Sequence, residues 1–222
     1  MKFRVGGAVR DQRGEHAVRY PLQQCVGQQF DALDEITPGA FVSFFGQHLG
    51  GFDPLPAGFL GAALAAGWTV GSMLSAGRAG QARQLMAIAP LVSAIGLTGL
   101  ALSAHPEASL ITVLLWVVLL FVAGSGVGIA WPHMMTTVMS TGRTPEEKDT
   151  ASASITTVQL IATALGASLA GTVTNLAGID GDAYAIGTAA RWLYGTFAVI
   201  VFLGVLYANR IVPPYETSRS EA

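Results

Sequence analysis

Residues 110–139 read LITVLLWVVLLFVAGSGVGIAWPHMMTTVM, without one Asp, Glu, Lys or Arg. Crossing a hydrocarbon layer of about 30 Å takes about 20 helical residues at about 1.5 Å each. Residues 110–131 therefore suffice for one span, with an apolar continuation to 139. The run is continuous, whereas a membrane β-barrel needs strands of about ten residues that alternate in and out. In lipid every backbone polar group must be satisfied internally, and a helix does this within one segment.

Working outward, four more stretches meet the same length: residues 55–76, 85–104, 151–177 and 190–212. None carries Asp, Glu or Lys inside it, and Arg191 and Arg210 stand at the two ends of the last. A sixth stretch, residues 40–49 (AFVSFFGQHL), is too short to cross unaided. It reads as a re-entrant or interfacial piece, or as the surviving end of a longer helix. The expected fold is all-α: a polytopic membrane helix bundle of about five full spans plus one short partial helix.

Composition agrees. The chain has 222 residues, 51% hydrophobic and 12% charged, with mean hydropathy +0.50. A soluble domain carries about 25% charged residues, so this chain has too few to cover an aqueous surface. A net charge of −2 excludes the basic footprint of a nucleic-acid binder. The single cysteine, Cys25, excludes a disulfide framework. His16, His48, His105 and His133 share no ligand spacing with a carboxylate or with Cys25, so no metal site is expected.

The charges are unevenly placed. Ten of them fall within residues 1–35, a segment lacking both an apolar signal-peptide core and sustained periodicity. Residues 1–39 read as a poorly structured or interfacial leader, solvated sooner than held on anionic lipid, 40–212 as the membrane bundle and 213–222 as a tail. The loop 77–84 carries Arg78 and Arg83, and the loop 140–150 carries Arg143 and Lys148; the loops 105–109 and 178–188 carry no Lys or Arg. The positive-inside rule makes the first pair cytoplasmic, together with the C-terminal tail, and the second pair external. Arg191, near the external end of the last span, dissents. Five crossings would also put the basic leader outside unless residues 40–49 belong to a crossing.

Within the spans, Gly67 with Gly71 and Gly124 with Gly128 form GxxxG pairs, and Gly96 and Gly99 lie one turn apart. Helices in lipid associate through such small faces, so helix packing is their expected role. The GSGVG run of residues 124–128 superficially resembles a phosphate loop, but it has no preceding strand and no following Lys-Ser/Thr. No cofactor is expected. Pro132 should kink or end its helix near the cytoplasmic face.

The segments Pro54-Leu55-Pro56-Ala57-Gly58, Gly67-Trp68-Thr69-Val70-Gly71-Ser72 and Gly124 through Pro132 resemble the C-terminal half of a major facilitator superfamily transporter. The resemblance is to fourteen-span drug:proton antiporters of the EmrB/QacA type, and residues 151–171 are similar to their penultimate helix. It covers about residues 40–212 and implies a cell-membrane, multi-pass protein with a cytoplasmic C-terminus, engaged in multidrug efflux. Nothing matches the first half of that family. Gly77 to Arg83 occupies the place of its second-half charged loop motif but lacks the acidic residue. The sequence thus reads as a truncated transporter that starts inside the helix ending at Leu49.

Proton coupling ordinarily uses an ionisable group within the membrane. The spans hold no Asp or Glu, and His133, just after Pro132, reads as an interfacial residue rather than a proton carrier. Serines and threonines of residues 151–174 have no accompanying base, so no catalytic constellation exists and the chain is not read as an enzyme. For a lipophilic small-molecule substrate, the candidate path residues are Trp68, Trp131, Met134 and Gln159. Each has a packing alternative, favoured for the tryptophans; the Gln159 amide is expected to bond across to a neighbouring helix sooner than to substrate. Two functional readings remain: half of a multidrug transporter completed by a second half or, less favoured, by a homodimer, and a non-transporting remnant or accessory subunit associating through its small-residue faces. Either has the lipid bilayer as its surroundings.

Overall fold

The computed structural model describes residues 39, 41–141 and 145–211. The tail 213–222, and the leader except for its last position, lie outside the described residues. A short helix α1 covers residues 41–50, followed by α2 (Pro54–Ala76), α3 (Ala82–Ser103), α4 (Leu110–Thr141), α5 (Pro145–Leu176) and α6 (Ala183–Ile211). A 3-10 turn, Ala79–Gln81, leads into α3. No strand occurs among the described residues, and five helices are long and apolar enough to cross a membrane.

Helices α5 and α6 begin well before hydropathy alone places them, because their starting signals stand in polar sequence. Asp182 accepts the Ala185 backbone N–H through Oδ1 at 2.9 Å, so α6 starts at Ala183 instead of near 190. Pro145 opens α5 before the apolar run at 151, in the first-turn position where its missing N–H costs nothing. Pro54 does the same for α2, next to an extended Asp53.

Pro132 does not end α4. The helix continues to Thr141, about 48 Å in all at about 1.5 Å per residue, which exceeds the hydrocarbon thickness. His133 consequently sits inside a helix rather than at its end, and is buried at 5% exposure. Pro90 is likewise carried inside α3.

Helix α4 is the centre of the bundle, packed against α2 on one face and α3 on another; α6 covers α3, and α5 touches α4 and α6. Glycine makes the α2–α4 approach close. A Cβ built on Gly67 would lie under 3.0 Å from the Phe121 backbone, one on Gly124 would collide with Leu64 O, and one on Gly128 with Trp68 O. On Gly71 it would stand 2.5 Å from Ser125 O. The two GxxxG pairs therefore face each other, backbone against backbone. On the α3 face, a Cβ on Gly126 would meet Ala89 O at 2.6 Å, and one on Gly96 would meet Ala123 N at 2.6 Å.

Phe45 and Leu49 of α1 pack with Leu97, Leu120, Leu193 and Phe197 in one apolar cluster, so the ten-residue helix is anchored in the bundle. Other large apolar side chains face outward, among them Leu55, Ile111, Leu114 and Leu165. Such a surface suits a hydrocarbon solvent.

Candidate functional site

The α2–α4 seam carries most of the residues singled out above. Trp68 of α2 and Trp131 of α4 meet edge to face, with ring centroids 6.4 Å apart and planes at 86°. Both are half-buried, and the Trp68 indole N–H is buried without a hydrogen-bond partner. One turn beyond, Met134 is buried at 6% exposure. Gln159 is half-buried on α5, and no hydrogen bond or ring contact joins it to the tryptophans among the described residues. The fold thus brings two of the four candidate path residues into contact.

Pro132 has a second consequence on this seam. A proline lacks the N–H that would bond the carbonyl four residues earlier, and that carbonyl belongs to Gly128. The Ser72 hydroxyl donates to Gly128 O at 3.0 Å. The glycine approach places Ser72 within reach, so one helix breaker is satisfied by a hydroxyl from the neighbouring helix. Ser93 of α3 donates similarly to Ala123 O at 2.9 Å from the other side. Sequence reading missed both serines; the i, i+4 spacing of Gly128 and Pro132, opposite a serine beside the GxxxG pair, was the available signal.

His133 lies two positions beyond Trp131 on α4. Its Nε2 is buried and has no hydrogen-bond partner, while its backbone carbonyl accepts the Thr137 hydroxyl at 2.6 Å. Among the described residues no group of histidine, cysteine and carboxylate side chains is arranged to hold a metal ion.

At the opposite end of the bundle, the connection between α3 and α4 is fastened on three sides. Trp116 Nε1 donates to Ser103 Oγ at 3.1 Å, the Ala108 N–H donates to Leu49 O at 2.9 Å, and Arg191 Nε donates to Ala104 O at 2.8 Å. Arg191 Nη2 also donates to His105 Nδ1. Along α5, by contrast, Thr157, Ser168, Thr172 and Asn175 form an exposed polar strip, each bonded back to the carbonyl four residues earlier. Such back-bonding lowers the cost of a polar group that has no other partner.

This architecture resembles about half of a major facilitator superfamily transporter fold. The bundle superposes on the xylose transporter XylE from E. coli in a partially occluded inward-open conformation with a TM-score of 0.67, covering 89% of this chain and 50% of that one at 18% identity. It also matches XylE, a major facilitator superfamily proton:xylose symporter, bound to 6-bromo-6-deoxy-D-glucose (TM-score 0.66, 18% identity, 90% of this chain and 45% of that one). At that identity the likeness establishes the fold.

Sequence kinship is more specific: the chain is a homologue of the probable multidrug-efflux transporters MT1670 and Rv1634 of Mycobacterium tuberculosis (strains CDC 1551 / Oshkosh and ATCC 25618 / H37Rv). It is 45% identical to each over 168 residues, which cover 75% of this chain and 35% of each relative. The chain thus spans about a third of the curated relatives it matches. No family profile matches it.

Proposed function

We propose that this chain is the C-terminal half of a multidrug-efflux transporter of the drug:proton antiporter type, carrying lipophilic small molecules once a second, N-terminal half completes the path. The observation that carries this reading is the 45% identity to two probable multidrug-efflux transporters, joined to a fold that covers half of a larger transporter. Alternating access in such folds needs two repeats that rock about a site between them. The exposed strip of Thr157, Ser168, Thr172 and Asn175 supports the need for a second half, because hydrocarbon alone solvates such a face poorly.

The bundle belongs in the plasma (inner) membrane. Arg78 and Arg83, with Arg143 and Lys148, put the connections after α2 and α4 and the C-terminus on the cytoplasmic side. Trp68 and Trp131 supply the aromatic wall, and Gln159 the polar group, for substrate entering from that side. The mutual use of the GxxxG pairs inside the bundle favours this reading over an accessory subunit that would need them for an outside partner.

The test is growth of efflux-deficient cells on ethidium. Co-expression of this chain with the first half of a homologous transporter raises the tolerated concentration several-fold, and Trp131→Ala or Gln159→Ala lowers it again. Unchanged tolerance in cells shown to contain both halves in the membrane refutes the reading.

A further inference from the structure

Arg191 stands at the membrane end where the flanking loops carry no Lys or other Arg. Its guanidinium is half-buried and held by the Ala104 carbonyl, at the end of α3, and by His105 Nδ1. Among the described residues Arg191 pairs with no carboxylate, and its Nη1 makes no hydrogen bond. The carboxylates of the loops at this end, Glu107, Asp180 and Asp182, make no ion pair with it among the described residues, which leaves Nη1 open to an anion from outside the bundle.

Beside it, the outward face of α6 forms an open groove of about 740 Å³, lined by Tyr184, Arg191, Trp192, Gly195, Val199 and Ile200 among others. Tyr184 and Trp192 are exposed at 67% and 62%. Amphipathic rings of this kind sit at headgroup level in membrane proteins. Further along α6 the lining is Thr196, Val199 and Ile200, mostly apolar, and Gly195 leaves its floor without a side chain. Unlike the seam glycines, Gly195 is not required by packing: a Cβ there would find nothing closer than Ala101 at 4.0 Å. From Arg191 to the exposed Leu203 the helix rises about 18 Å, close to the thickness of one leaflet.

We propose that this groove binds one anionic phospholipid of the outer leaflet, its phosphate on Arg191 Nη1 between Tyr184 and Trp192, and an acyl chain laid over Gly195. The proposal rests on membrane insertion in the orientation proposed above, and not on the transport reading. The charge, the aromatic pair and the groove length each match one part of that amphiphile: headgroup, interface and chain.

The test is native mass spectrometry of the full 222-residue chain in neutral detergent, titrated with phosphatidylglycerol and, separately, phosphatidylcholine. The chain retains one phosphatidylglycerol in preference to phosphatidylcholine. Arg191→Gln lowers its retention about tenfold, as loss of a charge-assisted contact should. Arg191→Lys keeps most of it. Gly195→Leu fills the floor while leaving Arg191 on Ala104, so it separates lipid binding from the fold; it weakens retention of both lipids. Equal retention of phosphatidylglycerol by wild type, Arg191→Gln and Gly195→Leu overturns the proposal. Displacement by soluble glycerol phosphate at equal concentration also overturns it, by assigning the site to free phosphate. A dimer or a second transporter half that shields Trp192 from labelling does so by assigning the groove to protein.

Discussion

The bond from Ser72 to Gly128 O gives a double-mutant cycle with a defined sign. In the native chain Gly128 O has no donor from position 132, because Pro132 carries no N–H, and the Ser72 hydroxyl at 3.0 Å supplies one. Ser72→Ala removes that donor and leaves a carbonyl with no partner in the tight α2–α4 seam, a cost of about 1–3 kcal/mol. In a Pro132→Ala background the backbone N–H of residue 132 returns within helical reach of Gly128 O. Ser72→Ala then removes only an ordinary interhelical bond, for which membrane-protein cycles average about 0.6 kcal/mol. The coupling between the two positions should be about 1 kcal/mol, roughly fivefold in the unfolding equilibrium. SDS unfolding of the chain in mixed micelles, followed by tryptophan fluorescence, measures it, and the Trp68–Trp131 pair beside the bond serves as reporter. Additive effects within about 0.3 kcal/mol would refute the reasoning and make Ser72 a bystander.

The seam predicts a contrast between glycines of the same helices. Gly124→Ala and Gly67→Ala force backbone atoms apart and destabilise by about 1–3 kcal/mol, whereas Gly61→Ala, with nothing within 4 Å, is neutral or stabilising by about 0.5–1 kcal/mol; the same SDS titration reads both. Gly96→Ala meets backbone and Gly99→Ala meets the Leu119 side-chain tip, so the first destabilises more. In a Cys25→Ser background, single cysteines placed at Gly80 and at Glu107 label with an impermeant maleimide from opposite sides of sealed vesicles. Labelling of both from one side contradicts the alternating topology.

Five spans were legible because a membrane helix announces itself by length and the absence of charge, and the 30 residues from 110 to 139 carry both signals. Helix ends were less legible. Hydropathy marks where the chain becomes apolar, while Asp182 and Pro145 start helices in polar sequence beyond that boundary. Pro132 reads as a kink or an end on local grounds; α4 runs on through it to Thr141, and a hydroxyl from another helix reaches the carbonyl it leaves free, which no local rule contains.

Spacing alone named the seam glycines, but not that the two pairs would face each other. Trp68 and Trp131 stand far apart in sequence and meet only because that seam aligns them. Arg191, out of pattern by loop charge, has its physical reason in the end of α3, whose last carbonyl it satisfies.

The central claim is that this bundle transports only as one of two halves. Proteoliposomes holding the chain alone, the chain with the first half of a homologous transporter, or that first half alone, and energised by a proton gradient, test it through ethidium flux. Flux above the protein-free background only in the paired vesicles is the predicted result. Flux from the chain alone equal to the pair, or none from a pair shown to associate, would contradict it.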